Sequence, residues 1–260
     1  MSNQYKNIKT TVENNTFYLM LNRPEKRNAL DDHTANEIEQ AILEADSNDD
    51  VKVIVIQAAG EKVFASGADI KQLNEKTPME ALKSGMQGLY NKIESSSKPT
   101  IAAVNGFALG GGCELTLACD LRIATTKAKF GLPELNLAIL PGAGGTQRLP
   151  RLIGKGRALD MMLSGRFVNG EEAENIGLAA YCVEPEVLED TVKDIANKIA
   201  QKGPIAISLV KQAVHKGYDI GSDAALWMEK LSQAIAFGTE DKNEGTTAFL
   251  EKREANFKDK

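Results

Sequence analysis

The chain has 260 residues, 42% of them hydrophobic, and a formal net charge of −5. That length accommodates one large domain, or one domain with an appendage, around a substantial core. The acidic balance argues against nucleic acid or an anionic membrane as partner. No run of about 18 apolar residues suggests a membrane span, and the opening MSNQYKNIKT has no signal-peptide apolar core. The expectation is a cytoplasmic protein. Three cysteines (Cys113, Cys119, Cys182), odd in number and without CxxC spacing, read as buried reduced thiols.

Residues 8–12 and 16–22 read as two strands, and Asn14-Asn15 between them as a hairpin turn. Pro24 ends the second strand in a polar, basic loop through Leu30. Asp31 or Asp32 can cap a helix whose apolar face is Ala35, Ile38, Ile42 and Ala45. The β-branched run Val51 to Ile56 predicts a buried strand. Small residues at 65–68 then permit close approach of backbone to a ligand, and Asp69 is placed to begin a helix. A longer helical stretch covers 79–97, interrupted by Gly85 and Gly88.

A strand over 99–104 leads into Asn105 to Glu114, NGFALGGGCE, the stretch around which the chain is organised. Three consecutive glycines lose more backbone freedom on folding than any other residues would. They make sense where backbone must approach a ligand closely, or where a helix begins and its free amides point at one. Glu114 then falls within the first turn of a helix-compatible segment, CELTLAC. After another strand at Leu121 to Ala124, the region from Phe130 to Leu149 is apolar but punctuated by proline and glycine. It reads as irregular backbone packed near a site, with Glu134 embedded between Pro133 and Leu135. Helical patterns follow at 155–164 and 171–176, a Leu188, Val192, Ile195, Ile199 stripe, a helix from Pro204 to about 217, and 223–237 containing Trp227. The texture changes near 200, from alternating strand and helix to helix only, dividing the chain into a 1–200 core and a 201–260 helical region.

The familiar catalytic signatures are missing. GxSxG, the P-loop, GxGxxG and HExxH are all absent, and the two histidines, His33 and His215, read as surface residues. No metal site or metal ligand is expected. What remains is three loops of small residues and two carboxylates. Backbone amides in such loops can clamp a developing oxyanion. Two partly buried carboxylates beside the clamp would have displaced pKa values, one serving as acid and the other as base. This points to chemistry that passes through an enolate or a similar anion.

The segments LNRPEKRNAL (21–30), FASGADIK (64–71), NGFALGGGCELTLACDLRIA (105–124) and FGLPELNLAILPGAGGTQRLPRLIG (130–154) resemble the crotonase, or enoyl-CoA hydratase, superfamily. SGRFVNGEEAENIGL (164–178) and FLEKR (249–253) fit it too, so the likeness runs along nearly the whole chain. The resemblance implies an α/β fold, a spiral of β-β-α repeats followed by C-terminal helices used for trimer assembly, with two trimers commonly stacking into a hexamer. It implies an oxyanion hole from the amides of Ala68 and Gly111, and Glu114 and Glu134 as the paired carboxylates. With both glutamates present, the implied reaction is reversible syn addition of water to a 2-trans-enoyl-CoA. Glu134 would exchange the α-carbon proton, Glu114 would activate the water, and Gly142 would shape the pocket around it. The backbone around Ala65, Ala68, Asp69, Ile70 and Lys71 would curl round CoA, and Lys26 would meet phosphate, with Arg27 and Lys252 as further candidates. No cofactor is implied beyond the CoA carried by the substrate. Within the superfamily, a methylglutaconyl-CoA hydratase is the alternative, with a Δ3,Δ2-enoyl-CoA isomerase behind it. An RNA-binding relative exists, but the acidic balance and the lack of aromatic–basic interleaving argue against that role here.

Overall fold

The computed structural model describes residues 5–260. The chain winds through successive turns in which two strands are followed by helix. The first turn is the hairpin β1 (Ile8–Glu13) and β2 (Thr16–Leu21), then α1 (Asp32–Ser47). Asn14 and Asn15 both take positive φ, 48° and 61°. That conformation suits a two-residue hairpin turn and is well tolerated by asparagine. Asp31 caps α1 by accepting from the Thr34 amide.

The second turn is β3 (Val53–Ala58), β4 (Val63–Ala65), then α2 (Ile70–Glu75), α3 (Pro78–Ala81) and α4 (Gly85–Ser95). The third is β5 (Thr100–Val104), β6 (Phe107–Leu109) and α5 (Gly111–Leu117). The fourth is β7 (Leu121–Thr125), β8 (Lys129–Gly131), a 3-10 turn over Glu134–Leu137, α6 (Gly145–Ile153) and α7 (Lys155–Ser164). Then come β9 (Val168–Asn169), α8 (Gly170–Asn175), β10 (Tyr181–Val183) and α9 (Leu188–Ala200). Three helices close the chain: α10 (Pro204–Gly217), α11 (Ser222–Phe237) and α12 (Glu240–Glu251).

The strands separate into two sheets. One has the order β1-β2-β3-β5-β7-β10, the other β4-β6-β8-β9. Apart from the hairpin and the β8–β9 pair, neighbours run parallel. The second, third and fourth turns therefore each place their first strand in the large sheet and their second in the small one, whereas β9 joins the small sheet and β10 the large. Alternation along β3 shows how both faces of the large sheet are covered. Ile54 and Ile56 enter the main core, whereas Val53 and Val55 pack beneath Val192, Ala196 and Ala200 of α9. All seven residues of α5 are buried.

Several expectations need correction. The helix expected over 79–97 is two helices, broken before Gly85, whose φ is +39°. The 130–149 region is less irregular than its prolines and glycines suggest, since it holds β8, the 3-10 turn and the start of α6. The loop after Pro24 is not uniformly solvated. Arg23 and Asn28 are buried, Arg23 against Asp31 at 2.6 Å and Asn28 against the Ala59 and Val63 carbonyls. Of the thiols, Cys113 and Cys119 are buried but Cys182 is half-buried. His33 is exposed as expected, while His215 is partly buried and lies 2.8 Å from the half-buried Asp120.

Candidate active site

The small-residue loops converge. β4 and β6 are paired, and the chain leaves both at the same end of the small sheet. Gly67 turns with φ +94°, and a Cβ there would lie 2.9 Å from the Leu109 carbonyl and 3.2 Å from the Gly111 nitrogen. Leu30 bridges Ala68 in parallel, donating its amide to Gly67 and accepting from Asp69. Amides alternate in direction along an extended strand. With the Asp69 amide committed to Leu30, the Ala68 amide faces away, towards Gly111. A Cβ placed on Gly111 would in fact lie 3.5 Å from the Ala68 nitrogen. Gly111 is the first residue of α5, so its amide has no acceptor within the helix. Two backbone donors thus face a common point.

The two glutamates border this point. Glu114 is buried in the first turn of α5, and its Oε1 accepts from the amides of Ala143 and Gly145, both at 2.8 Å. Burial pushes its carboxyl up, and those two amides, with the Arg148 charge, hold it back without cancelling the rise. Glu134 sits at the start of its 3-10 turn against Gly110, where a Cβ would lie 3.2 Å from Glu134 Oε1. Gly110 has φ +53°, so no other residue is accommodated there without strain. The Oε2 of Glu134 is buried without a hydrogen-bond partner. Burial, reinforced by the Glu114 charge and opposed by its own amide, pushes the Glu134 carboxyl up to about 7. A buried carboxyl oxygen without a partner is one that a polar reactant could satisfy, and water is the simplest candidate.

A family model described as Enoyl-CoA hydratase/isomerase matches residues 11–260. The chain belongs to the enoyl-CoA hydratase/isomerase family. It is 45% identical to a crotonyl-CoA hydratase of Syntrophomonas wolfei, covering 97% of this chain and 98% of the relative. It is 43% identical to a short-chain-enoyl-CoA hydratase of Clostridium acetobutylicum, over 95% of each. Among solved structures, an enoyl-CoA hydratase from Bacillus anthracis superposes with a TM-score of 0.94 at 38% identity, covering 98% of this chain and all of the other. The expected crotonase-type α/β spiral is therefore the fold of this family member.

Within that family fold, the remaining candidate residues divide. Asp69 caps α2, accepting from Lys71 and Gln72, while Ile70 and Lys71 are exposed beside it. Lys26 is exposed and lines a polar surface cleft of about 540 Å³ together with Lys6, Arg23, Asp31 and His33. Ala65 is fully buried, and its carbonyl would stand 2.2 Å from a Cβ on Gly112, so it offers a ligand no surface. Gly142 is exposed, and a Cβ on it would meet Leu140 but neither glutamate. Its neighbours Ala143 and Gly145 hold Glu114 instead.

Sequence reasoning missed two side chains that reach this site. Tyr90 is fully buried and donates its hydroxyl to the Gly111 carbonyl at 2.7 Å. Arg148 donates to the Ala143 carbonyl at 3.0 Å. The apolar spacing Met86, Leu89, Tyr90, Ile93 marks Tyr90 as inward-facing, but nothing in the sequence says that its hydroxyl has a partner.

Proposed function

We propose that this protein is an enoyl-CoA hydratase, adding water reversibly to a 2-trans-enoyl-CoA to give the 3-hydroxyacyl-CoA. The observation that carries this reading is the pair of glutamates, Glu114 buried and Glu134 half-buried, unlike in their surroundings, beside converging amides of Ala68 and Gly111. Those amides receive the thioester oxygen, where negative charge develops as water adds to the β-carbon. Glu114, held by two amides and near a cation, is the partner that stays ionised and takes a proton from the water. Glu134, with its carboxyl at about 7, carries a proton in much of the population at neutral pH and delivers it to the α-carbon. The C–O and C–H bonds then form on the same face. Transfer of the proton from Glu114 back to Glu134 through solvent resets the pair, and dehydration runs the same steps in reverse.

The relatives named for crotonyl-CoA and short-chain substrates support a short acyl group here. A methylglutaconyl substrate would need a cation for its distal carboxylate. The cation beside Glu114, Arg148, is already engaged by Glu94, Asn91 and Ala143. CoA contacts fall to the exposed neighbourhood of Asp69, Ile70 and Lys71, with Lys26 as the phosphate partner. The reading is that of a cytoplasmic enzyme without a further cofactor, and no helix among the described residues is long and apolar enough to cross a membrane. The test is loss of the enoyl-thioester absorbance with crotonyl-CoA. Rapid hydration by the wild type, with collapse in both Glu114→Gln and Glu134→Gln, is expected. An inert wild type, or an active Glu114→Gln, would overturn the two-carboxylate mechanism.

The 201–260 region we assign to assembly, as a trimer or dimer of trimers. No residue of α11 is buried, and Leu226, Trp227, Leu231, Ile235 and Phe237 all lie exposed on it, with Trp227 at 60%. So contiguous an apolar face fits burial against other copies. Light scattering on the eluting protein is expected to give three or six chains per particle, and a monomer would refute the assignment.

A further inference from the structure

Helix α4 reaches the site from outside it at two points. At one, Tyr90 holds the Gly111 carbonyl. At the other, Glu94 and Asn91 hold a guanidinium. Arg148 Nε and Nη2 donate to the two oxygens of Glu94 at 3.0 and 2.9 Å, and Nη2 also donates to Asn91 Oδ1 at 2.8 Å. The remaining arm, Nη1, donates to the Ala143 carbonyl. The loop is wrapped round this group. Gly144 turns with φ +110°, and a Cβ on it would lie 2.0 Å from Arg148 Nη1. Fixing the Ala143 carbonyl fixes the peptide plane between the two amides that grip Glu114. A fork held on both prongs by one carboxylate is a geometry that a lysine cannot reproduce.

We propose that Arg148, locked by Glu94 and Asn91, is a positioning residue that sets the Ala143 and Gly145 amides against Glu114, so that α4 braces both halves of the site. Arg148 touches no reacting atom and acts through the loop it organises. The kinetic consequence rests on the hydratase reading, whereas the effect on Glu114 does not. Four titratable groups face Glu114 from the elements packed around it: Tyr90 on α4, Cys113 on α5, Arg148 on α6 and Glu134 on the 3-10 turn. Burial keeps Tyr90 and Cys113 protonated. Glu134 is the neighbour that titrates in the neutral range, and Arg148 is the cation.

The experiment compares wild type, Arg148→Lys, Arg148→Met, Glu94→Gln and the Arg148→Met/Glu94→Gln double variant. Glutamate-labelled protein is titrated by carboxyl 13C NMR, with the Glu114 signal assigned from its loss in Glu114→Gln. Arg148→Met is expected to raise the Glu114 midpoint by about one pH unit, since it removes a nearby opposite charge. It should also lower kcat by about 10²-fold with little change in KM, the cost of a small misplacement. Arg148→Lys keeps the charge and loses the fork, so kcat falls and the Glu114 midpoint rises by less than in Arg148→Met, through the slackened amides alone. Glu94→Gln also lowers kcat, and the double variant is no worse than Arg148→Met, because the two residues act as one unit. An unmoved Glu114 midpoint in Arg148→Met overturns the proposal, as does a kcat in Arg148→Lys equal to wild type. If wild type does not hydrate crotonyl-CoA, the hydratase reading fails and the titration by itself decides the role of Arg148.

Discussion

Two largely desolvated carboxylate sites lie at opposite ends of α5, and they are built in opposite ways. Glu114 and Glu134 stand at its start, desolvated, with backbone amides and one cation, which Glu94 also engages, for support. Asp120 lies just past its end and is bound on every side. Its Oδ2 accepts from the Thr100 amide at 2.7 Å and from Lys211 at 2.8 Å, while its Oδ1 meets His215 at 2.8 Å. Burial pushes the Asp120 carboxyl up, but His215, Lys211 and Thr100 outweigh it, and the group lies below its ordinary range. Desolvation is the largest influence at both sites, so it does not by itself decide the outcome. The partners do. At the glutamate pair a single cation, Arg148, acts on Glu114 and none is resolved on Glu134, so burial prevails. Where the group must hold α10 against the core, a lysine and a histidine are supplied.

The largest expected contrast separates activity from stability. Glu114→Gln and Glu134→Gln should each lower hydration of crotonyl-CoA by about 10²–10⁴-fold, the usual contribution of a positioned acid or base. Their melting temperatures should stay at or above wild type, because a desolvated carboxylate has been replaced by a neutral isostere. Asp120→Ala should do the reverse. It strands the buried Lys211 without its counter-charge, which costs about 3–5 kcal/mol. Denaturant unfolding should register that loss while activity per folded molecule survives. If Asp120→Ala melts like wild type, the contrast collapses.

A smaller effect sharpens the comparison through pH. Glu134 has its folded pKa raised, so its contribution to stability is full below the unfolded value and declines as pH rises towards 7. Glu134→Gln removes that decline. The variant should match wild type at about pH 4, below the unfolded value, and melt about 2–4 °C higher at pH 8, which calorimetry can resolve. Asp120 has its folded pKa lowered, so its stabilisation is present above the unfolded value and is lost as pH falls through the folded one.

The local elements were legible wherever a single stretch of chain determines them. The Asn14-Asn15 turn, the Asp31 and Asp69 caps, α7 over 155–164 and the Pro204 start of α10 all follow from short-range chemistry. The short strands β4, β6, β8, β9 and β10 did not stand out. Each has two or three residues and owes its state to a neighbour far away in sequence. The site was legible to the same extent. Its glycines and its two glutamates lie in motifs, so their grouping could be anticipated from the residues and the family resemblance. Tyr90, Arg148 and the Asp120–Lys211–His215 cluster join residues separated by 21 to 95 positions or more, and no local pattern reports such a pairing. His215 shows this best, since alone on a helix it resembles any surface histidine.

The unpartnered oxygen of Glu134 has one further consequence. With its carboxyl pushed up to about 7, the group exchanges a proton near neutral pH, and the protein passes between two chemical species differing by that proton. A ligand that prefers one species draws protons from the buffer or sheds them into it. Its apparent affinity then follows pH even when the ligand itself has no group that titrates.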